Sequence, residues 1–155
     1  MVPDHKEKYY SGMNSALPSL GATCDASVNP SDCGRVMNGN LIDVWSSKSI
    51  DHNQWIKLQL NDTQIVERID IYHKCRNRTQ CSEMMFSFSD GRKDTRVRQC
   101  NGHATKHDCT NVPMEMYYIN MVQTTFVKIV CSGRCDEADG YIGFREILVW
   151  SEPPA

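Results

Sequence analysis

"GYIGFREILVW", residues 140–150, is the stretch whose reading decides the fold. As a strand it places Ile142, Phe144, Glu146, Leu148 and Trp150 on one face, because side chains alternate along an extended chain. All but Glu146 are large and apolar. A carboxylate buried without a partner is too costly to keep, so the strand reading predicts that Glu146 is held by another part of the fold.

The same alternation recurs upstream. Ile56, Leu58 and Leu60 alternate with Lys57 and Gln59; Ile69 and Ile71 alternate with Arg68 and Asp70; Met84, Phe86 and Phe88 alternate with Met85 and Ser87. Asp90-Gly91 is a hairpin signal before a polar strand around Arg96–Arg98, and Tyr117–Met121 and Phe126–Val130 are β-rich. About seven short strands with almost no helical periodicity predict an all-β, antiparallel β-sandwich or barrel. The 155 residues suit one domain, with 1–13 as an irregular lead-in, 14–151 as the domain and the proline-rich 152–155 as the start of a linker.

The totals narrow the function classes. Apolar residues make up 40% and charged residues 23%, a globular balance. No apolar run approaches the ~20 residues that span a bilayer. A net charge of −2 with scattered basic residues argues against nucleic acid. "MVPDHKEKYY" lacks the apolar stretch of a leader peptide.

Eight cysteines fall into neighbouring couples, Cys24/Cys33, Cys75/Cys81, Cys100/Cys109 and Cys131/Cys135. Their even count and clustering predict four short-range disulfides and an oxidising, extracellular setting. Sequons at Asn61 and Asn77 agree with that setting.

If successive strands run antiparallel, their connections alternate between two ends. "SSKSIDHNQ" (46–54), "HKCRNRTQC" (73–81), "CNGHATKHDC" (100–109) and "CSGRCDEADG" (131–140) then gather at one end, with short turns near 61–65, 90–91 and 120–124 at the other. Stapled loops on a rigid scaffold are a common way to build a binding end. Its polar ligand candidates are His52, His73, Arg76, Arg78, His103, Arg134 and Asp136, alongside Lys74, Asn101 and Glu137.

Several landmarks in order resemble the coagulation-factor type C, or discoidin, family with its galactose-binding-like jelly roll. They are "VMNGNLIDVWSS" (36–47), "WIKLQL" (55–60), "IVERIDIY" (65–72), "FSFSDG" (86–91), "TFVKIVC" (125–131) and "IGFREILVW" (142–150). The resemblance implies an extracellular, non-enzymatic recognition module whose loops at one end meet glycans, lipid headgroups or proteins. It also implies a calcium site: the family's closing glutamate falls on Glu146, and its early loop on Asn38, Asn40 and Asp43, with Ser46 nearby. Calcium takes six to eight oxygen ligands, which such a set with backbone carbonyls supplies. Asn38 departs from the aspartate of many relatives and removes one negative charge. The other readings of Glu146 are a metal-free pin, accepting N–H bonds from that loop or pairing with an arginine, and simple exposure near a sheet edge.

Other chemistry is weaker. Cys100, His103, His107 and Cys109 have zinc-ligand types but no familiar spacing, and Cys131-x3-Cys135 is not a redox spacing. No nucleophile elbow, metalloprotease helix or phosphate-cradling loop occurs. His52 with Arg76 and Arg78 is similar to the histidine and arginine pair of the fucose-binding branch, though the Arg-x-Asp element is missing. Only Ile50 could act as an apolar loop-tip spike, so membrane insertion is not expected. The sequence therefore predicts a glycan-binding module, with a protein-interaction or adhesion domain as the alternative.

Overall fold

Two long strands carry the architecture. The computed structural model describes residues 12–47, 54–74, 81–97, 114–134 and 142–152, with the backbone alone for 132–134. The strands are β1 (Met13–Asn14), β2 (Thr23–Ala26), β3 (Trp45–Ser46), β4 (Gln54–His73), β5 (Cys81–Phe88), β6 (Lys93–Val97), β7 (Met114–Arg134) and β8 (Gly143–Ser151). β4 and β7 form one antiparallel ladder from Gln54↔Cys131 to Tyr72↔Met114. Register shifts interrupt it between Gln59 and Gln64 and between Val66 and Arg68. Such irregularities sharpen twist and bend, which lets a continuous ladder fold over on itself.

The halves of that ladder recruit different neighbours. β2 pairs with residues 56–59 of β4, and β5 with β7 from Val127 onward, followed by β6. β8 pairs with β4 from Val66 to His73, and carries β1 and β3. These are the two layers of an antiparallel β-sandwich. A contact across it is the tilted pair of Phe86 on β5 and Tyr117 on β7, with centroids 5.2 Å apart. One continuous core joins Ile56, Leu58, Ile69, Ile71, Phe86, Ile129, Ile147 and Val149.

The expected turns at 61–65 and 120–124 are bends within strands rather than loops. Met121, with φ of 33°, lies at the β7 bend, and the Ser89 amide donates to Thr124 Oγ1 (2.8 Å), tying the β5–β6 turn to it. The two ends nevertheless alternate as the sequence predicts. The chain segments flanking 48–53, 75–80 and 135–141 meet at one end, and the bends and the Asp90-Gly91 turn occupy the other.

β8 corrects the face assignment made from alternation. Tyr72 pairs with Glu146 but His73 pairs with Phe144, so Arg145 is an inserted residue, a β-bulge. Ile142 and Phe144 therefore share the main core with Ile147 and Val149. Glu146 faces the opposite way, with Leu148 and Trp150, which pack with Tyr72, Leu41 and Met114. Phe144 stacks on Trp45 of β3, centroids 5.9 Å apart and 9° from parallel.

The cysteine pairing is partly corrected as well. Cys24 and Cys33 are bonded as expected, with Cα atoms 5.9 Å apart. Cys81 is bonded to Cys131, Cα atoms 5.6 Å apart, which overturns both the Cys75–Cys81 and the Cys131–Cys135 expectations. β5 and β7 lie side by side, so these two buried cysteines meet although 50 positions separate them. Cys75, Cys100, Cys109 and Cys135 lie outside the described residues, and with them the expected Cys100–Cys109 pair.

Candidate functional site

The early loop is built by a 3₁₀ segment, Pro30–Met37, that starts at Asn29 in the left-handed region (φ 50°). It buries Cys33, Val36 and Met37, and the Cys24–Cys33 bond fastens it to β2. After it the chain closes on its own side chains. Asn38 Oδ1 accepts the Asn40 amide (3.1 Å), and Asn40 Oδ1 accepts those of Ile42 (2.9 Å) and Asp43 (3.0 Å). Asp43 Oδ2 accepts from Asn38 Nδ2 at 2.8 Å. Gly39, with φ of 79°, turns its amide toward the last strand.

That amide donates to Glu146 Oε2 at 3.1 Å. The predicted partner of Glu146 is thus the early loop, reached through backbone N–H groups, as in the metal-free pin. The bulge adds a second tie: Arg145 donates from Nε to Lys74 O and from Nη1 to Leu41 O, each at 2.7 Å. Glu146 is 1% exposed, and its Oε1 has no hydrogen-bond partner among the described residues. Burial pushes its carboxyl up to about 8, against the opposing pull of the Gly39 and Asn38 amides.

Calcium fits this chemistry in part. Glu146 Oε1 is an orphaned, buried hard oxygen, and Asp43 brings a second carboxylate to the same loop. Asn38 and Asn40 direct their side-chain oxygens to backbone amides, and the Ser46 carbonyl accepts Asn29 Nδ2 at 2.8 Å. Among the described residues no group of three or more His, Cys, Asp or Glu side chains converges as a metal cluster.

Beside Glu146, the same face of β4 and β8 holds a buried polar group. Arg68 Nε lies 3.0 Å from Asp70 Oδ1, and Trp150 Nε1 donates to Asp70 Oδ2 at 2.7 Å. Burial, with the Asp70 and Glu146 carboxylates, pushes the Tyr72 phenol up to about 12.

Of the residues expected at the loop surface, His73 is corrected: it is fully buried. Its Nε2 lies 3.1 Å from Glu115 Oε1, and its ring sits 5.9 Å from that of Phe144. Inward-facing Ile69 and Ile71 set the alternation that turns His73 inward too. Arg134 pairs through its backbone with Cys81. His52, Arg76, Arg78, His103 and Asp136 lie outside the described residues, as does the Asn77 sequon. Asn61 is exposed at the β4 bend. The roles of Arg145 and of the Arg68–Asp70–Trp150 group were not anticipated; the polar Arg68 and Asp70 within a run of buried residues were the available signal.

Among solved structures, the chain is similar to the family 32 carbohydrate-binding module of Clostridium perfringens NanJ, solved with galactose. The TM-score is 0.64 at 15% identity, covering 87% of this chain and 97% of that one. It is also similar to the lectin domain of Lectinolysin, solved with Lewis b antigen: TM-score 0.63, 12% identity, 91% of this chain and 98% of that one. A third is the CpGH89CBM32-4 module of Clostridium perfringens with GlcNAc-α-1,4-galactose: TM-score 0.61, 15% identity, 90% of this chain and 94% of that one. The fold is discoidin-like. In this galactose-binding-like sandwich, the early loop and the closing strand are the parts that Glu146 joins. No protein-family profile and no curated protein matches the sequence.

Proposed function

We propose that this discoidin-like domain is an extracellular, non-catalytic glycan-recognition module that reads sugars with the loops at the end where 48–53, 75–80, 98–113 and 135–141 connect the strands. The observation that carries this reading is the likeness, over about nine-tenths of the chain, to modules named as carbohydrate-binding or lectin domains and solved with galactose and Lewis b. The framework at that end supports it. Cys81–Cys131, the Trp45–Phe144 stack and the Arg145 ties hold the strand ends from which the loops leave, so the framework itself needs no reordering on binding. The disulfides are consistent with an oxidising, extracellular location.

The test is a glycan array followed by calorimetry with galactose and Lewis b oligosaccharides, on protein with and without its own N-glycans. Saturable binding is expected, weakened by substitutions of His52, Arg76 or Arg78 and not by Glu146→Gln. An array blank for both forms would end the lectin reading in favour of a protein partner.

A calcium ion belongs to the same reading. Glu146 Oε1, the Asp43 carboxylate and oxygens of Asn38, Asn40 and Ser46 would hold it, and it would neutralise the buried carboxylate and stiffen the early loop. A melting temperature raised by calcium and lowered by chelator is expected; one unmoved by either would remove the metal.

A further inference from the structure

On one side of the sandwich two strand edges have no neighbouring strand among the described residues. Among the described residues, β6 pairs as a strand only with β5, and residues 114–124 of β7 only with β4. Between them lies a cleft of about 520 Å³, lined by Arg92, Lys93, Asp94 and Arg96 from one side and by Tyr118 and Asn120 from the other. That volume is in the range of small-ligand sites.

The walls are fixed by two arginines. Arg96 grips Asp94 with both ends of its guanidinium (Nε to Oδ1 2.7 Å, Nη2 to Oδ2 2.8 Å) and also donates from Nη2 to Tyr118 O at 2.7 Å. Arg92 donates from Nη1 to Asn120 O, again at 2.7 Å. The Asp94 carboxylate is thereby neutralised in place. Arg92 stays half-exposed; its Nε lies 3.9 Å from Asp90 Oδ2, a loose ion pair beyond hydrogen-bond length, while its backbone amide donates to Asp90 Oδ1 at 2.8 Å. Lys93 is exposed and makes no ion pair with a described residue. Tyr118, 64% exposed, offers an aromatic face and a hydroxyl with no described partner.

Shielding the edge carbonyls from strand addition accounts for the two arginines. It does not account for a lysine without a described ion-pair partner and an exposed tyrosine lining the same cleft. Cationic donors beside an exposed ring suit a ligand with an apolar face and an anionic group. We propose that this cleft is a second binding site, separate from the loop end, for an acidic saccharide unit: the pyranose lies against Tyr118, and its sulfate or carboxylate sits between Arg92 and Lys93.

The test uses variants that leave both bridging arginines intact. Binding of a heparin octasaccharide, and of its desulfated but uronate-bearing form, is compared by calorimetry for the native protein, Lys93→Glu and Tyr118→Ala. The native protein is expected to bind at least one form, and the desulfated one separates carboxylate from sulfate recognition. Each variant is expected to lose about tenfold in affinity, charge reversal also flattening the salt dependence. Bound oligosaccharide should shield the Lys93 amine from acetylation, and neutral-sugar binding at the loop end should be unchanged. No binding of either form, variants that bind like the native protein, or equal loss of neutral-sugar binding would each overturn the proposal.

Discussion

The Gly39 amide donates to Glu146 Oε2 across 3.1 Å, joining the early loop to the last strand over 107 positions of sequence. Glu146 is buried, its other oxygen lacks a described partner, and its carboxyl is pushed from 4.5 up to about 8. Below pH 4.5 it is neutral in both folded and unfolded chains. Between there and about 8 the folded chain keeps a proton the unfolded chain has released, so stability falls as pH rises. The slope is at most about 1.4 kcal/mol per pH unit, and the penalty is complete above the folded value. In chelator, urea unfolding at several pH values should show this decline for the native protein and a flatter profile for Glu146→Gln. Parallel profiles would contradict a buried, proton-holding Glu146.

The Cys81–Cys131 bond closes a loop across 50 positions. Removing that constraint from the unfolded chain should cost about 4 kcal/mol, so Cys81→Ala with Cys131→Ala is expected to melt far below the native protein. Peptide mapping under non-reducing conditions should recover a fragment joining these two residues. A fragment joining Cys75 to Cys81 would refute the pairing.

Asp70 serves both Arg68 and Trp150 in a buried setting. Asp70→Ala leaves a buried guanidinium without its carboxylate and should destabilise by about 3–5 kcal/mol. Replacing the pair together, Arg68→Met with Asp70→Leu, should cost clearly less. A double-mutant cycle measures the difference, and additive losses would show that the two groups are not coupled.

Gly21 has φ of 90°, and a Cβ there would lie 2.7 Å from Asn61 Cγ. Gly21→Ala combines backbone strain with a clash and should cost about 1–3 kcal/mol. Asn61→Gly in the same chain should restore the part due to the clash and leave the part due to φ, as read from denaturant midpoints.

The pattern of apolar residues made the sandwich legible, since inner positions such as Ile56, Leu58, Ile69 and Ile71 repeat every second residue along β4. It also made Glu146 legible as a residue that needs a partner; only the resemblance to the discoidin family pointed to the early loop as that partner. Alternation could not reveal the inserted Arg145, because counting by twos assumes that each residue has one opposite number. Nor could sequence distance pair Cys81 with Cys131: the bent β4–β7 ladder decides which strand ends become neighbours. The Lys93 and Tyr118 cleft escaped for the same reason, as its walls come from edges 25 positions apart that only the bend brings together.

Met13 pairs with Ser151, and Asn14 with Trp150, so the first and last described strands form a short seam. Val66, also opposite Ser151, places that seam beside the bends, away from the loop end. Whatever chain continues beyond these residues leaves from adjacent points about 5 Å apart. A host polypeptide running through both ends would therefore carry the domain like a pendant, with the loop-bearing strand ends on the far side. A pull on both tethers acts first as an unzipping load on the β1–β8 seam, so the bent ladder that frames the loops is spared while that seam holds.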